Sequence, residues 1–403
     1  MGEAPRGNAV VGQSGGPTAV INQSLVGVIE AARECGAIER LLGARNGVRG
    51  IVEQRFVDLK SLDDELLERV AQTPASALGS TRDKPDEVYC RRIFEVFAAN
   101  DVRYFFYIGG NDSADTAWIV NEMAAVEGYS LRVFHVPKTI DNDLRVTDHC
   151  PGYGSAARFV AAALMGDDRD SASLPGVKID VIMGRNAGWL AAAGELARQD
   201  PSDGPHLIYV PERPLAEEQF VEQVAEVYGR LGRCLVAASE GIEDENGVSY
   251  AEKLVSTIER DNHGNPQLSG SGALGDYLAE IVRTKVGRKL GGKKLRVRAD
   301  TFGYLQRSFA GFASPVDQKE ARLAGRKAVE YAASGLAGGS VAFRRVAGNK
   351  YRITCFHAEL KDMARDTKPL SDEFINAEGN GVNDSFRAYA QPLIGSLPTI
   401  GRL

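Results

Sequence analysis

An apolar run, LRVFHV (131–136), is followed directly by the polar loop PKTIDND (137–143). The run predicts a β-strand, and the loop predicts the point at which the chain leaves the sheet. Ligands of open parallel α/β sheets bind at such carboxyl ends of strands. Asp141 and Asp143 can accept a proton or hold a metal, and Lys138 with Thr139 can contact an anion. A turn built from Pro, Asp and Asn is the alternative interpretation.

Length and composition describe an ordinary globular protein. The 403 residues suggest two or three domains, and 43% hydrophobic with 25% charged residues is a typical balance. The net charge of −6 and the absence of a long basic run argue against nucleic-acid binding. No apolar run could span a bilayer and no signal core begins the chain, so we expect a cytoplasmic protein. The five cysteines have no CxxC spacing, which argues against zinc or a disulfide framework.

Two strand–glycine–helix units precede the opening loop. In the first, strand 8–12 leads into Ser14-Gly15-Gly16 and a helix from 19 to 35. In the second, strand 102–108 leads into Gly109-Gly110-Asn111-Asp112-Ser113 and a helix from 114. Such turns present backbone N–H groups and helix N-termini to phosphates, although each alone can be a simple tight turn. The alternation of strands and helices predicts a parallel α/β sheet with right-handed crossovers.

The second half repeats this rhythm. Strand 177–182 ends at Met183-Gly184-Arg185, and strand 234–238 ends near Glu240. A basic segment, 283–298, leads into Gly303-Tyr304-Leu305-Gln306-Arg307. Arg185, Arg298 and Arg307 together could bind a phosphoester, although each one alone is more typical of a surface residue.

The order of these motifs resembles that of the phosphofructokinases over roughly residues 8 to 340, and the tail 373–393 resembles the pyrophosphate-dependent branch. The resemblance implies two Rossmann-like three-layer α/β/α domains with the active site in the cleft between them. Residues 1–152 and about 306–345 would form the phosphoryl-donor domain. Residues 153–305 would form the sugar-phosphate domain, and about 346–403 a C-terminal extension packing on the core.

The resemblance also implies roles for individual residues. Asp141 looks like the base that takes the proton from the sugar 1-hydroxyl, with Lys138, Thr139, Asp143 and Arg185 as further catalytic residues. The residues expected at the donor are Ser14, Gly15, Gly16, Asp112 and Ser113, with Gly15 approaching the phosphates through its backbone. The residues expected at the sugar phosphate are Met183, Gly184, Arg185, Glu240, Arg298, Tyr304 and Arg307.

Two positions favour pyrophosphate over ATP as the donor. Members that use ATP typically have glycine at positions 112 and 138, where this chain has Asp112 and Lys138. The aspartate would occupy, with negative charge, the place of a nucleotide α-phosphate. The lysine would stabilise charge during transfer. Asn111 stands where the family usually has a metal-binding aspartate, so Mg²⁺ is expected at Asp143 with a weaker, or water-mediated, contribution from Asn111.

The resulting expectation is a Mg²⁺-dependent, reversible, pyrophosphate-dependent 6-phosphofructokinase of glycolysis that makes fructose 1,6-bisphosphate and phosphate. We expect a homo-oligomer, a dimer or a tetramer, with pyrophosphate and fructose 6-phosphate as substrates and without a nucleic-acid or membrane partner. Three alternatives stay open: an ATP-dependent enzyme, an enzyme that also acts on sedoheptulose 7-phosphate, and a phosphate-binding protein without catalysis.

Overall fold

The computed structural model describes residues 4–254, 272–348, 350–364 and 366–402. The strands are β1 (Gly7–Gln13), β2 (Ile38–Ala44), β3 (Phe56–Asp58), β4 (Val102–Gly109), β5 (Arg132–Pro137), β6 (Val177–Ile182), β7 (Leu207–Tyr209), β8 (Cys234–Ser239), β9 (Val297–Thr301), β10 (Gly338–Arg345) and β11 (Ile353–Ala358). The α-helices are α1 (Ile21–Glu34), α2 (Gly47–Val52), α3 (Asp64–Gln72), α4 (Glu87–Ala99), α5 (Asn111–Val126), α6 (Tyr153–Ser173), α7 (Trp189–Ala192), α8 (Glu217–Leu231), α9 (Tyr250–Leu254), α10 (Ala273–Ile281), α11 (Gly287–Lys289), α12 (Pro315–Ala333), α13 (Leu360–Met363) and α14 (Asp384–Ile394).

The chain divides into two compact units. The first contains residues 1–155 and 307–368, and the second contains 156–306 and 369–403. Residues 346–403, which the sequence predicts as one extension, are therefore shared between the units, with the division after Lys368. The assignment of one unit to the phosphoryl donor and the other to the sugar phosphate stays a prediction.

The first unit is a three-layer α/β/α structure around a seven-stranded sheet in the order β11-β10-β5-β4-β1-β2-β3. Side chains alternate across β4. Tyr104, Phe106 and Ile108 join a core with α1 and α12, whereas Phe105 and Tyr107 join a core with α4 and α5. Because aromatic residues bury a large apolar area, this strand anchors both layers.

The edges of this sheet differ from the predicted parallel arrangement. The inner pairs, β1 with β2, β1 with β4, β4 with β5, and β5 with β10, are parallel. The outer pairs, β2 with β3 and β10 with β11, are antiparallel. The connection 346–352 joins β10 to β11 and is too short for the crossover that a parallel pair requires.

The second unit has a four-stranded parallel sheet in the order β7-β8-β6-β9. One face packs against α8 and α10 through a continuous apolar core. The alanine-rich segment 189–197 forms α7 followed by a 3-10 helix, Ala193–Ala197. All four strands point the same way, so the loops that follow them emerge at one edge of this sheet.

Candidate active site

The loop 137–143 lies at the end of β5, as the sequence predicts. Hydrogen bonds fix it to its surroundings: the Lys138 N–H donates to the Gly109 carbonyl oxygen at 2.9 Å, and the Asp141 N–H donates to Thr139 Oγ1 at 3.0 Å. Asn142 adopts a left-handed backbone with φ of 56° and accepts from the Cys150 N–H at 3.0 Å. These hydrogen bonds therefore hold the loop in one conformation beside the ends of β4 and β5.

Lys138 is a buried cation beside the loop 14–16. The residue is 4% exposed, and its Nζ donates to the Gly16 carbonyl oxygen at 2.7 Å. Burial, together with the positive charge of Arg307, lowers the pKa of Lys138 to about 8, against the raising effect of Asp141 and Asp143. A desolvated cation at the end of a strand is suited to stabilising a transferring phosphoryl group.

The glycines of the first loop allow two cations to lie against it. A Cβ on Gly15, whose φ is 74°, would lie 3.3 Å from Lys138 Nζ, and a Cβ on Gly16 would lie 3.2 Å from the Arg307 guanidinium, so a side chain at either position would crowd a cation. The Gly15 N–H donates to the Thr81 carbonyl oxygen at 2.9 Å. The contribution of Gly15 is therefore the close approach of the lysine, since its own N–H already has an acceptor.

The two carboxylates of the loop differ in their surroundings. Burial and the neighbouring charge of Asp141 raise the pKa of Asp143. Lys368 opposes that rise, and its backbone N–H donates to the Asp143 carbonyl oxygen at 2.6 Å. The Lys368 ammonium donates to the carbonyl oxygens of Thr147 and Asp148 at 3.0 and 2.9 Å, so it holds the segment that follows the loop.

Asn111 begins α5 and reaches Asp143. Its Nδ2 donates to Asp143 Oδ2 at 3.3 Å. Its Oδ1 is buried, and within the described part of the chain no hydrogen-bond donor reaches that oxygen. An orphaned amide oxygen beside the Asp143 carboxylate offers oxygen donors of the kind that Mg²⁺ prefers.

Asp112 follows in the first turn of α5 and forms an ion pair. Lys84 Nζ lies 3.0 Å from Asp112 Oδ1, and both side chains are 55% exposed. Ser113 is buried at the same helix start, and Ser14 is buried at the end of β1. Lys84 thus pairs with Asp112, and Arg82 lies near enough to Lys138 to lower the pKa of that lysine.

Arg307 lies in the first unit. The sequence predicts it at the sugar phosphate, yet its guanidinium stands next to Gly16 and its charge acts on Lys138. The structure thus brings Arg307 together with Lys138 and with Gly16, which the sequence predicts at the phosphoryl donor.

In the second unit, most of the predicted sugar-phosphate residues lie at the edge of the sheet where the strands end. Met183, Gly184 and Arg185 follow β6, Glu240 follows β8, and Tyr304 follows β9. Arg298 is the second residue of β9 and pairs in register with Lys178 near the start of β6, so it lies away from that edge. Glu240 is 8% exposed, and its Oε1 accepts from the Gly184 N–H at 3.5 Å.

Tyr304 at this edge is open to solvent, with 47% exposure. Arg298, near the start of β9, is also exposed, and its Nη1 donates to the adjacent Val297 carbonyl oxygen at 3.0 Å. Gln306, which sequence reasoning did not select, is 2% exposed and accepts from the Met183 N–H at 3.4 Å. The edge therefore combines the fixed Glu240 with Arg185, side-chain types that bind a hydroxylated phosphoester.

Comparisons with known proteins agree with this geometry. The family model described as Phosphofructokinase matches residues 8–332, and the chain belongs to that family. It is 52% identical over 399 residues to a pyrophosphate--fructose 6-phosphate 1-phosphotransferase of Rhodospirillum rubrum, covering 99% of this chain and 97% of the relative. A protein of the same name from Xanthomonas campestris pv. campestris is 39% identical, with 96% and 91% covered.

A solved structure is similar over the same length. The crystal structure of a pyrophosphate-dependent phosphofructokinase from Marinobacter aquaeolei matches with a TM-score of 0.84 and 35% identity, covering 98% of this chain and 94% of that one.

Within the described helices of the present chain, none is long and apolar enough to cross a membrane.

Proposed function

We propose that the protein transfers a phosphoryl group reversibly from pyrophosphate to the 1-hydroxyl of fructose 6-phosphate, giving fructose 1,6-bisphosphate and phosphate. The observation that carries this proposal is the buried Lys138 ammonium, 2.7 Å from the Gly16 carbonyl oxygen. The absence of side chains on Gly15 and Gly16 lets the Lys138 ammonium and the Arg307 guanidinium lie against this loop, and two such cations are suited to an anion. The names of the relatives from Rhodospirillum and Xanthomonas support the same donor and acceptor.

Asp141 is the proposed general base. It accepts the proton of the 1-hydroxyl while that oxygen attacks the nearer phosphorus of pyrophosphate and the bond to the bridging oxygen breaks. The Asp141 N–H donates to Thr139 Oγ1 at 3.0 Å, and this bond orients the carboxylate-bearing residue. Lys138 and Arg307 then stabilise negative charge on the transferring and leaving phosphates.

Mg²⁺ would be held by Asp143 and by the orphaned Oδ1 of Asn111. The 3.3 Å hydrogen bond from Asn111 Nδ2 to Asp143 brings the amide next to that carboxylate. When bound, the ion would supply charge neutralisation to the phosphates. The Asn111 hydrogen bond would meanwhile restrain Asp143, so that one of its oxygens stays available to a ligand.

The edge of the second sheet is proposed to bind the sugar phosphate. Arg185 is suited to bidentate contacts with a phosphate, and Glu240 to contacts with sugar hydroxyls. For Arg298, near the start of β9, the same role rests on the family resemblance. The facing of these residues toward the donor site in one cleft follows from the family resemblance and is part of the proposal. A cytoplasmic glycolytic role and a homo-oligomer, a dimer or a tetramer, stay predictions.

The test is a donor-by-acceptor matrix with purified protein. Pyrophosphate and ATP are the donors, and fructose 6-phosphate and sedoheptulose 7-phosphate are the acceptors. We expect turnover with pyrophosphate and fructose 6-phosphate, dependent on Mg²⁺, and little with ATP. Preferential turnover with ATP would reject the donor assignment, preferential turnover of sedoheptulose 7-phosphate would reassign the acceptor, and binding without turnover would leave a phosphate-binding protein.

Arg307 requires a separate test, because its sequence prediction and its position differ. We expect Arg307→Ala to raise the KM for pyrophosphate, since the guanidinium lies against the Gly16 loop. A rise confined to fructose 6-phosphate would instead restore the sugar-phosphate role. Arg298→Ala is the matched control, because the resemblance implies a sugar-phosphate contact for Arg298, so this variant should raise only the KM for fructose 6-phosphate.

A further inference from the structure

Three aspartates come together in the second unit, away from the residues discussed so far. Asp180 lies within β6, Asp300 lies opposite it on β9, and Asp167 belongs to α6. One carboxylate oxygen from each of the three lies within 4.8 Å of the others. Ligands on opposite sides of a Ca²⁺ ion, each about 2.4 Å away, are about 4.8 Å apart. The spacing therefore matches ligands of one ion.

An acidic cluster on a protein surface is common, and the distinguishing feature here is Asp180. The residue is fully buried, at 0% exposure. Within the described residues, no hydrogen-bond donor reaches either of its carboxylate oxygens. A buried carboxylate without a partner is costly, because no solvent compensates its charge. The side chain is directed into the cluster, toward the oxygens of Asp167 and Asp300.

Lys178 is the cation nearest to the cluster, and it is already engaged. Its Nζ lies 2.6 Å from Asp300 Oδ2 and 3.4 Å from Asp167 Oδ2. Three carboxylates and one ammonium have a formal charge of −2, which one divalent cation neutralises. Lys178 and Asp167 are largely buried, whereas the Asp300 side chain is 61% exposed and gives an ion access from solvent.

We propose that Asp167, Asp180 and Asp300 form a structural site for a hard divalent cation such as Ca²⁺ or Mn²⁺. Oxygen-only ligands, with water completing the coordination, suit this class of ion. The ion would join α6, β6 and β9, and thereby brace the two strands that lead to Gly184 and Tyr304. The proposal concerns the second unit alone and does not depend on the proposed reaction.

The experiment measures Mn²⁺ binding by electron paramagnetic resonance, without pyrophosphate, after treatment with a chelator. Four proteins are compared: wild type, Asp180→Asn, Asp143→Asn and Asp170→Asn. Asp170 is exposed on the same helix as Asp167 and serves as the matched control. We expect an ion at this cluster whose affinity is unchanged in the Asp143 and Asp170 variants and at least tenfold weaker in Asp180→Asn.

A second variant and a second readout keep the test independent of misfolding. Asp300→Asn changes an exposed side chain and should also weaken binding at least tenfold. Ca²⁺ should raise the thermal midpoint of wild type by several degrees and leave that of Asp180→Asn unchanged. The proposal is overturned if wild type takes up no ion at this site at about 1 mM cation. It is also overturned if the Asp180 and Asp300 variants retain the ion, and a proton on Asp180 would then satisfy the buried carboxyl.

Discussion

The pH dependence of turnover should report the buried charge of Lys138. Burial and Arg307 lower the pKa of this lysine to about 8. The proposed role requires the ammonium, so activity should fall as pH rises through this value. The charged fraction is about 90% at pH 7 and about 10% at pH 9 for such a pKa. We therefore expect kcat/KM for pyrophosphate, which here reports the enzyme form that binds pyrophosphate, to decrease about tenfold over this interval.

The assay holds free Mg²⁺ and saturating fructose 6-phosphate constant while pyrophosphate is varied. The Lys138→Arg variant distinguishes the ionisation of the enzyme from that of the substrate. Pyrophosphate ionises identically in assays of both proteins, whereas a guanidinium stays charged. The alkaline decrease should disappear in that variant, whatever its absolute rate. Arg307→Ala should move the decrease to higher pH, since removal of a nearby positive charge raises the pKa of Lys138. A flat profile in wild type, or an unchanged decrease in Lys138→Arg, would refute the reasoning.

The same burial has a consequence for stability. The difference between the ordinary lysine pKa of 10.5 and the value of about 8 corresponds to about 3 kcal/mol. Below pH 8 Lys138 is protonated in both the folded and the unfolded chain, so the full penalty of burying its charge destabilises the folded state. As pH rises from about 8 toward 10.5, the folded state releases this proton first, and the penalty declines. Lys138→Met should therefore raise the free energy of unfolding below pH 8, with a smaller gain at pH 10, while turnover is lost.

Three further predictions concern other positions. Asp141→Asn should lower kcat by about 10²–10⁴-fold while calorimetry still detects fructose 6-phosphate binding, and near-normal turnover would remove Asp141 as the base. Asp112→Gly should permit measurable ATP use while pyrophosphate turnover falls only in part, as kcat/KM for both donors will show. His149, bonded to Asp148 and Glu320 at 2.8 and 2.7 Å, has a raised pKa against the opposing effect of burial. Its stabilisation is full below its unfolded pKa and is lost as pH rises through its folded pKa, so His149→Gln should lower the thermal midpoint more at pH 6 than at pH 9.

Local patterns were sufficient to predict most of the elements that support the site. The run 131–136 is a strand, its polar loop lies at the strand end, and Asn111 and Asp112 begin a helix after β4. These features depend on neighbours in sequence: an alternating apolar strand, a turn and a helix start. The antiparallel edge strands were not predicted, because pairing direction depends on how much chain is available to cross the sheet.

Contacts between distant segments were beyond the reach of the sequence. Lys368 holds the loop after Asp143, and His149 pairs with Glu320 across 171 residues. Each of these residues, taken alone, looks like an ordinary polar residue, and only the fold shows that it is buried. The position of Arg307 beside Gly16 was missed for the same reason, because the motif that contains Arg307 suggested only a phosphate ligand.

The ion pair of Asp112 with Lys84 changes the physical argument for donor choice. The sequence suggests that a carboxylate at position 112 excludes a nucleotide both by repulsion and by volume. With the Lys84 ammonium 3.0 Å away, the local field is largely balanced, and the lysine itself attracts phosphates. Exclusion must then depend mainly on the space that the side chain occupies in the first turn of α5. Asp112→Asn, which keeps the volume and removes the charge, should therefore still reject ATP, and only the loss of the side chain should admit it. ATP use by the asparagine variant would show instead that charge is decisive despite Lys84.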